Sequence, residues 1–185
     1  MHSRLETPRL VLRPLTLTDL ATLRSLLIEP DVRRWAADGR VLSEAHVRGS
    51  LLEHTATFRR YGTGAFGMWL RADGAFAGYA GLFPSKLANH GGLELGVGVW
   101  PRYWRTGLAT ETCGAILDDV FTRLHVDRVL ACADAPNFRS LGLIARLGFR
   151  QITTTPGAFG AIRWFALQRS GWARAPRSPA LPPVV

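Results

Sequence analysis

Short stretches of apolar residues, alternating with polar ones or uninterrupted, recur along the chain between glycine, proline and polar positions. Stretches of this kind are typical of β-strands. They predict strands over residues 8–15, 66–71, 75–83, 93–100, 127–133, 149–155 and 161–167. The run at 127–133 contains few polar residues, which is typical of a strand buried on both faces.

Elsewhere the apolar positions recur every three or four residues, the spacing of one face of a helix. This pattern predicts helices over about 18–28, 43–60, 107–124 and 137–148. Ser43 and Asn137 are suitable N-caps for the second and fourth of these. We expect Pro30 to stop the first helix and Gly148 to end the last.

The order of these elements predicts the fold class. Antiparallel hairpins come first and a β-α-β crossover follows, so we expect an α/β (mixed α+β) fold. Its central twisted mixed sheet would have about seven strands, flanked by about four helices. One domain would span residues 1–170, and the Pro- and Ala-rich segment 171–185 is expected to be a disordered tail.

Composition narrows the classes of function. The net charge is +9, carried by arginine apart from Lys86, but no basic run exceeds two residues, so a polyanionic partner is permitted and not identified. No apolar stretch is long enough to span a membrane, and the first ten residues do not resemble a secretory signal. A cytoplasmic protein is expected. Cys113 and Cys132 lack metal-site or disulfide spacing, so no metal is expected and both are interpreted as small buried apolar residues.

Two glycine-rich stretches could be mistaken for nucleotide-binding motifs. One of them, Gly96-x-Gly98, continues to Pro101 and lacks the third glycine. "GTGAFG" (62–67) matches G-x-G-x-x-G, but that fingerprint needs a strand before it and a helix after it. Here a helix precedes and a strand follows, so the better interpretation is a flexible turn. The chain also lacks a Walker A motif, which excludes a P-loop enzyme.

"YWRTGLATE" (103–111) is the stronger candidate for binding phosphate. It lies where strand 93–100 is followed by a helix. A helix N-terminus presents unpaired N–H groups and partial positive charge. Gly107 would admit a bulky diphosphate, and Arg102 and Arg105 could add charge at the rim. An ordinary strand-to-helix junction is the alternative.

Residues 104–109, "WRTGLA", resemble the acetyl-CoA diphosphate loop of the GNAT superfamily of N-acetyltransferases, Gln/Arg-x-x-Gly-x-Gly/Ala, with Trp104 departing from its first position. Three further stretches resemble the ribosomal-protein-alanine acetyltransferase branch (RimJ/RimL type) in its own order. They are "LETPRLVLRPLTLTDL" (5–20), "LELGVGVWPRYWRTGLATE" (93–111) and "NFRSLGLIARLGF" (137–149). The resemblance implies a GNAT-like sheet and acetyl-CoA as cosubstrate.

The same resemblance implies which residues contact the cofactor. The diphosphate would bind mainly to backbone amides of Arg105, Thr106, Gly107, Leu108, Ala109 and Thr110. Strand residues Val97, Gly98 and Val99 would bind the pantetheine arm and polarise the thioester carbonyl. Asn137 would hold the pantetheine arm or a sheet carbonyl, or act only as an N-cap.

Two residues are candidates for proton transfer. Glu94, on the strand before the loop, is the candidate general base, directly or through water. A structural ion pair or a surface position is its alternative. Ser140, in Asn-x-x-Ser, would protonate the leaving thiolate, the alternative being a serine that only bonds the backbone. The tyrosine acid common in the family is absent from "LGLIARLGF".

The resemblance, together with these residues, implies acetyl transfer from acetyl-CoA to a primary amine by direct attack in a ternary complex. The RimJ/RimL resemblance implies a protein N-terminal α-amine as acceptor and is compatible with a homodimer. A small-molecule amine is the nearest alternative. A non-catalytic acyl-CoA-binding module or a basic nucleic-acid-binding module belongs to another class. The absence of an aromatic–basic stripe counts against nucleic acid.

Overall fold

Eight strands and six α-helices form the part of the chain that the computed structural model describes, residues 4–87 and 91–172. The strands are β1 (Leu5–Glu6), β2 (Leu10–Pro14), β3 (Ala65–Leu70), β4 (Phe76–Pro84), β5 (Leu93–Val99), β6 (Arg128–Asp134), β7 (Arg150–Gly157) and β8 (Gly160–Gln168). The helices are α1 (Leu20–Ile28), α2 (Pro30–Ala36), α3 (Glu44–Tyr61), α4 (Leu108–Asp119), α5 (Phe138–Arg146) and α6 (Arg169–Trp172).

All eight strands join one mixed sheet in the order β1-β2-β3-β4-β5-β6-β8-β7. Every neighbouring pair is antiparallel except β5 and β6, which run parallel. Parallel neighbours need a crossover connection, and α4 supplies it. The predicted mixed sheet with helices packed on it is therefore confirmed.

The sheet separates two layers of helices. On one face, α4 and α5 pack on the largest apolar cluster, which includes Leu12, Met68 and Leu95 of the sheet. On the other face, α1 and α3 pack through Leu23 and Val47, against aromatic side chains of β3 and β4. Along a regular strand such as β5, successive side chains alternate between these layers, so residue parity decides which layer a side chain faces. The register shifts in the pairing of β3 with β4 and of β7 with β8 interrupt this alternation.

The prediction that Pro30 stops the first helix is correct for α1 but incomplete. The chain turns at Glu29, whose ψ of 122° is not helical, and Pro30 then begins α2. Proline suits the first helical position, because its missing N–H is one that has no partner there. Strand β1 was also not predicted, since two residues are too few to show a period.

Of the helix predicted over 107–124, only α4 (Leu108–Asp119) is a regular α-helix. It ends at Asp119 and continues as one π-helical turn, Val120–Leu124, before His125 takes a left-handed φ of 52°. The "GTGAFG" stretch is a turn only over residues 62–64: Gly62 caps α3 with a φ of +68°, and Ala65 already begins β3.

The end of the described chain packs on the domain. Gly171 and Trp172, expected to begin the tail, are the last residues of α6, and the indole N–H of Trp172 donates to Asp118 over 2.9 Å. The rest of the expected tail, residues 173–185, lies outside the described residues. Across 4–87 and 91–172, none of the helices has the length and apolarity needed to cross a membrane.

Candidate active site

A cleft opens between β5 and β6, in the middle of the sheet. The two strands pair only at three positions, the last being Leu95 with Ala131. Beyond it β5 continues to Val99 and β6 to Asp134 without pairing to each other. The two strands therefore diverge toward their carboxyl ends, where α4 and α5 begin.

Backbone groups of β5 line this cleft. The N–H of Trp100 donates to the carbonyl of Ala77, so the even-numbered residues of β5 turn their backbone groups toward β4. Alternation along the strand then directs the amides of Val97 and Val99 to the other side, beyond the last pair with β6. Their side chains lie on the α4 layer. Gly98 has the opposite parity, so its backbone groups turn toward β4.

Aromatic rings of β4 explain the glycines of β5. A Cβ placed on Gly98 would lie 2.5 Å from Cε1 of Tyr79, and one on Gly96 would lie 3.0 Å from Cε2 of Phe83. The rings therefore lie across the glycines on the layer that faces α1 and α3. The Gly96-x-Gly98 pattern serves close packing between neighbouring strands. Burial also raises the pKa of Tyr79.

Two residues in left-handed conformation shape the loop between β5 and α4. Arg105 has a φ of +64° and Gly107 a φ of +84°. Gly107 is the N-cap of α4, and its carbonyl accepts the first intrahelical bond, from the N–H of Glu111. The amides of residues 108–110 consequently have no partner within the helix. They form a ready site for an anion.

Trp104, the residue that departs from the family pattern, connects this loop to the cleft. Its indole N–H donates to the carbonyl of Val99 over 2.8 Å. The guanidinium of Arg139, on α5, lies 4.4 Å from the centre of the indole ring. Trp104 therefore joins the end of β5 to the start of α5.

Glu111, in the first turn of α4, binds Arg9 next to β2. Nε of Arg9 donates to Oε2 of Glu111 over 2.7 Å, and the Arg9 backbone N–H donates to Oε1 over 3.0 Å. Nη1 of Arg9 also donates to the carbonyl of Thr106 over 2.8 Å. Glu111 therefore has a structural role, and Arg9 ties both the loop and the first turn of α4 to the segment that precedes β2.

Glu94 lies beside the point where β5 and β6 separate, on the layer that faces α1 and α3. It accepts hydrogen bonds from the Ser85 hydroxyl (3.3 Å), the Lys86 N–H (3.4 Å) and the Cys132 thiol (3.2 Å). Burial, and after it the negative charge of Glu94, raise the pKa of the Cys132 thiol. The thiol is therefore protonated at neutral pH. Among residues 4–87 and 91–172, the partners of Glu94 are these neutral donors, and no ion pair with it is formed.

The N-terminus of α5 closes the other side of the cleft. Asn137 is buried and is the N-cap, because its side-chain oxygen accepts a hydrogen bond from the N–H of Ser140 over 3.2 Å. Ser140 is half-buried on the first turn of α5. Both residues lie within six positions of the end of β6 at Asp134. They are therefore at the same end of the sheet as Val97 and Val99.

The sequence did not identify Cys132 or Tyr79 as neighbours of the site. Their strands were predicted, but the pairing that sets Cys132 against Glu94 and Tyr79 against Gly98 depends on strand register. Before the register is known, no local pattern in either strand sets Cys132 beside Glu94. Within the described ranges, no group of three His, Cys, Asp or Glu side chains is arranged to hold a metal ion.

Comparison with known proteins agrees with this geometry. Residues 9–150 match the model of the acetyltransferase (GNAT) domain family. The uncharacterized protein YkkB of Bacillus subtilis is 27% identical over 156 residues, which cover 82% of this chain and 88% of YkkB. A putative GnaT-family acetyltransferase from Bordetella pertussis has a similar structure, with a TM-score of 0.80, 24% identity, and coverage of 88% of this chain and 98% of its own.

Two further solved structures share the fold at lower identity. One is a Vibrio cholerae spermidine N-acetyltransferase in complex with CoA and spermine, with a TM-score of 0.74, 15% identity, and coverage of 91% of this chain and 100% of its own. The other is a putative ribosomal-protein-serine acetyltransferase from Vibrio cholerae, with a TM-score of 0.69, 20% identity, and coverage of 89% and 97%. With the family model matching most of its length, the chain belongs to the GNAT family and is an acetyl-CoA-dependent N-acetyltransferase.

Proposed function

We propose that this enzyme transfers the acetyl group of acetyl-CoA to the α-amine of a protein N-terminus by direct attack in a ternary complex. One observation carries the chemistry of the proposal. A row of amides around Gly107 lies at one end of a cleft, and a carboxylate, Glu94, lies where that cleft begins. The first is suited to a diphosphate and the second to accepting a proton.

The residues fit acetyl-CoA by the donors that they offer. The amides of residues 108–110 lack partners within α4, and Gly107, which has no side chain, precedes them in a left-handed conformation. Arg105, exposed on the same loop, adds positive charge. In this proposal the amides of residues 105–110 hold the diphosphate. Those of Val97 and Val99 bind the pantetheine and polarise the thioester carbonyl, and Asn137 holds the arm from the α5 side.

Glu94 acts as the general base for the amine. An amine attacks only as its neutral form, so the proton of the ammonium must be removed, directly or through a water molecule. The Ser85, Lys86 and Cys132 donors hold the carboxylate at the start of the cleft. Ser140, on the first turn of α5, donates a proton to the leaving thiolate.

The state of Cys132 favours direct attack over an acetyl-cysteine intermediate. Cys132 is the cysteine beside the base, as a covalent mechanism would require. A thiol must lose its proton to become a nucleophile, whereas burial and the Glu94 carboxylate raise the pKa of this one. The other cysteine, Cys113, is fully buried on the opposite layer, and burial raises its pKa to about 12.

Resemblance to the RimJ/RimL branch supports the protein N-terminus as acceptor. The fold shared with the putative ribosomal-protein-serine acetyltransferase is consistent with it. A small-molecule amine is the second candidate, because the spermidine N-acetyltransferase has the same fold.

A panel of acceptors tests the proposal. CoA release is measured with peptides that present different N-terminal residues, with the same peptides blocked at the α-amine, and with spermidine. We expect turnover only with free α-amines, and tandem mass spectrometry should place the acetyl group there. Turnover confined to spermidine or to lysine side chains would refute the proposed acceptor. Glu94→Gln should lower kcat by about 10²-fold or more while leaving the Kd for acetyl-CoA unchanged.

A further inference from the structure

The side chain of Arg9 binds both the diphosphate loop and the first turn of α4. It donates through Nε to Glu111 over 2.7 Å and through Nη1 to the carbonyl of Thr106 over 2.8 Å. The ion pair is well shielded, with the side chains of Arg9 and Glu111 24% and 14% exposed. Short charge-assisted bonds in such surroundings are stronger than those of an exposed pair.

The carbonyl that Arg9 holds determines the direction of an amide. The Thr106 carbonyl and the Gly107 N–H belong to one planar trans peptide, in which the two groups point in opposite directions. Because the carbonyl points to the guanidinium, the N–H points away from Arg9. This N–H directly precedes the unpaired amides of residues 108–110.

The same peptide could turn over if nothing held it. Rotation of a peptide plane changes the φ of the residue that follows it, and glycine tolerates such changes where other residues do not. Gly107 already has a φ of +84°. In the reversed orientation a carbonyl oxygen would replace the N–H and would repel an anion. Arg9 stabilises the orientation that presents the donor.

Arg9 also compensates the charge of Glu111. A carboxylate in the first turn of α4 would otherwise lie, unpaired, near the amides that attract an anion. The guanidinium neutralises it at 2.7 Å. Glu111 can consequently stabilise the N-terminus of α4 without repelling a bound diphosphate.

We propose that Arg9 is a positioning residue for the diphosphate of acetyl-CoA, which acts by fixing the Thr106–Gly107 peptide and by neutralising Glu111. The inference rests on the proposed binding of acetyl-CoA at this loop. It assigns a role to the arginine of "TPRLVL", which lies 97 positions before Thr106 in sequence.

The test compares two cosubstrates that share the thioester and the pantetheine arm. Arg9→Met and Arg9→Lys are assayed with acetyl-CoA and with S-acetylpantetheine, which lacks the diphosphate and the nucleotide. For Arg9→Met with acetyl-CoA we expect Kd by calorimetry, and KM, to rise about tenfold, with kcat at saturation nearly unchanged. With S-acetylpantetheine, kcat/KM should stay at the wild-type value. Arg9→Lys, which keeps the charge but not the two-point contact, should be intermediate.

Arg71→Met is the matched control. Arg71 follows β3, its backbone N–H donates to the Arg9 carbonyl, and its side chain forms an ion pair with Glu6 at 2.9 Å. Among the described residues, the hydrogen bonds of its side chain go to Glu6 and not to the loop. Its variant should bind acetyl-CoA like the wild type. An unchanged Kd in both Arg9 variants, or an equal loss with both cosubstrates, would overturn the positioning role. A wild-type protein that binds no acetyl-CoA would instead refute the proposed function.

Discussion

The thiol of Cys132 donates a hydrogen bond to the carboxylate of Glu94, with 3.2 Å between Sγ and Oε1. The two residues lie on neighbouring parallel strands, close to the last point at which β5 and β6 pair. The thiol is kept protonated, because burial and then the charge of Glu94 raise its pKa. The contact therefore places a protonated thiol, a hydrogen-bond donor, beside the candidate base at the entrance of the cleft.

This contact predicts an ordered series of variants at position 132. Cys132→Ser keeps a donor, so its kcat should stay within about threefold of the wild type. Cys132→Val is similar in size but removes the donor, and kcat should fall about tenfold, the effect of about 1–1.5 kcal/mol. Steady-state kinetics at saturating acetyl-CoA measures both. Cys113→Ala, in the opposite layer, is the control for general loss of packing. Equal rates for the Ser and Val variants would contradict the role of the thiol.

Trp104→Phe tests the connection between the loop and β5. The variant keeps an aromatic ring for Arg139 but loses the indole N–H that binds the Val99 carbonyl over 2.8 Å. The Kd for acetyl-CoA should rise about fivefold, corresponding to about 1 kcal/mol for one hydrogen bond. Isothermal titration calorimetry measures this change.

Trp164→Phe is the matched control for that measurement. It also loses an indole hydrogen bond, of 2.9 Å to Thr155, but between β8 and β7 and away from the loop. Its Kd for acetyl-CoA should equal that of the wild type. If both variants bound equally weakly, the effect at Trp104 would reflect general destabilisation.

His54 predicts a pH dependence of stability. It packs on Phe83, with 5.0 Å between ring centres, and burial lowers its pKa from the ordinary value of 6.5. The unfolded chain therefore binds a proton at a pH where the folded chain does not. The contribution of this residue is complete above pH 6.5 and is lost as the pH falls from there through the lowered folded pKa.

Urea unfolding at pH 7.5 and at about pH 5.5 measures this loss. The free energy of unfolding should decrease on acidification in the wild type. His54→Phe, which keeps a ring against Phe83, should show a smaller decrease. A variant with the full wild-type decrease would remove His54 from the explanation.

The elements of the fold could be predicted from sequence where a period is repeated several times. Helix α3 is an example, with Ser43 as its N-cap and its end one residue past the predicted Arg60. Helix α2 could not be predicted in this way. It has only seven residues and begins with a proline just after α1, so in the sequence this proline indicates only the end of α1. The period does not show where one short helix ends and the next begins.

The residues of the candidate site also fall into two groups, those that a local pattern could predict and those that it could not. Glu94, Gly107, Asn137 and Ser140 belong to local patterns, and the sequence placed them at strand ends and helix starts. Cys132 and Arg9 also contact these segments, but they are far from them in sequence. Cys132 lies 38 positions from Glu94, and Arg9 lies 97 positions from Thr106. Such contacts follow from strand order and register, which local periodicity does not specify.

The central claim is that backbone amides around Gly107 bind acetyl-CoA, and calorimetry of the Gly107→Glu variant tests it most directly. The substitution puts a carboxylate at the N-cap of α4, at a φ of +84°. The account predicts saturable binding of acetyl-CoA to the wild type and no detectable heat for the variant, with circular dichroism showing that both are folded. A folded Gly107→Glu variant that binds acetyl-CoA with the wild-type Kd would contradict it.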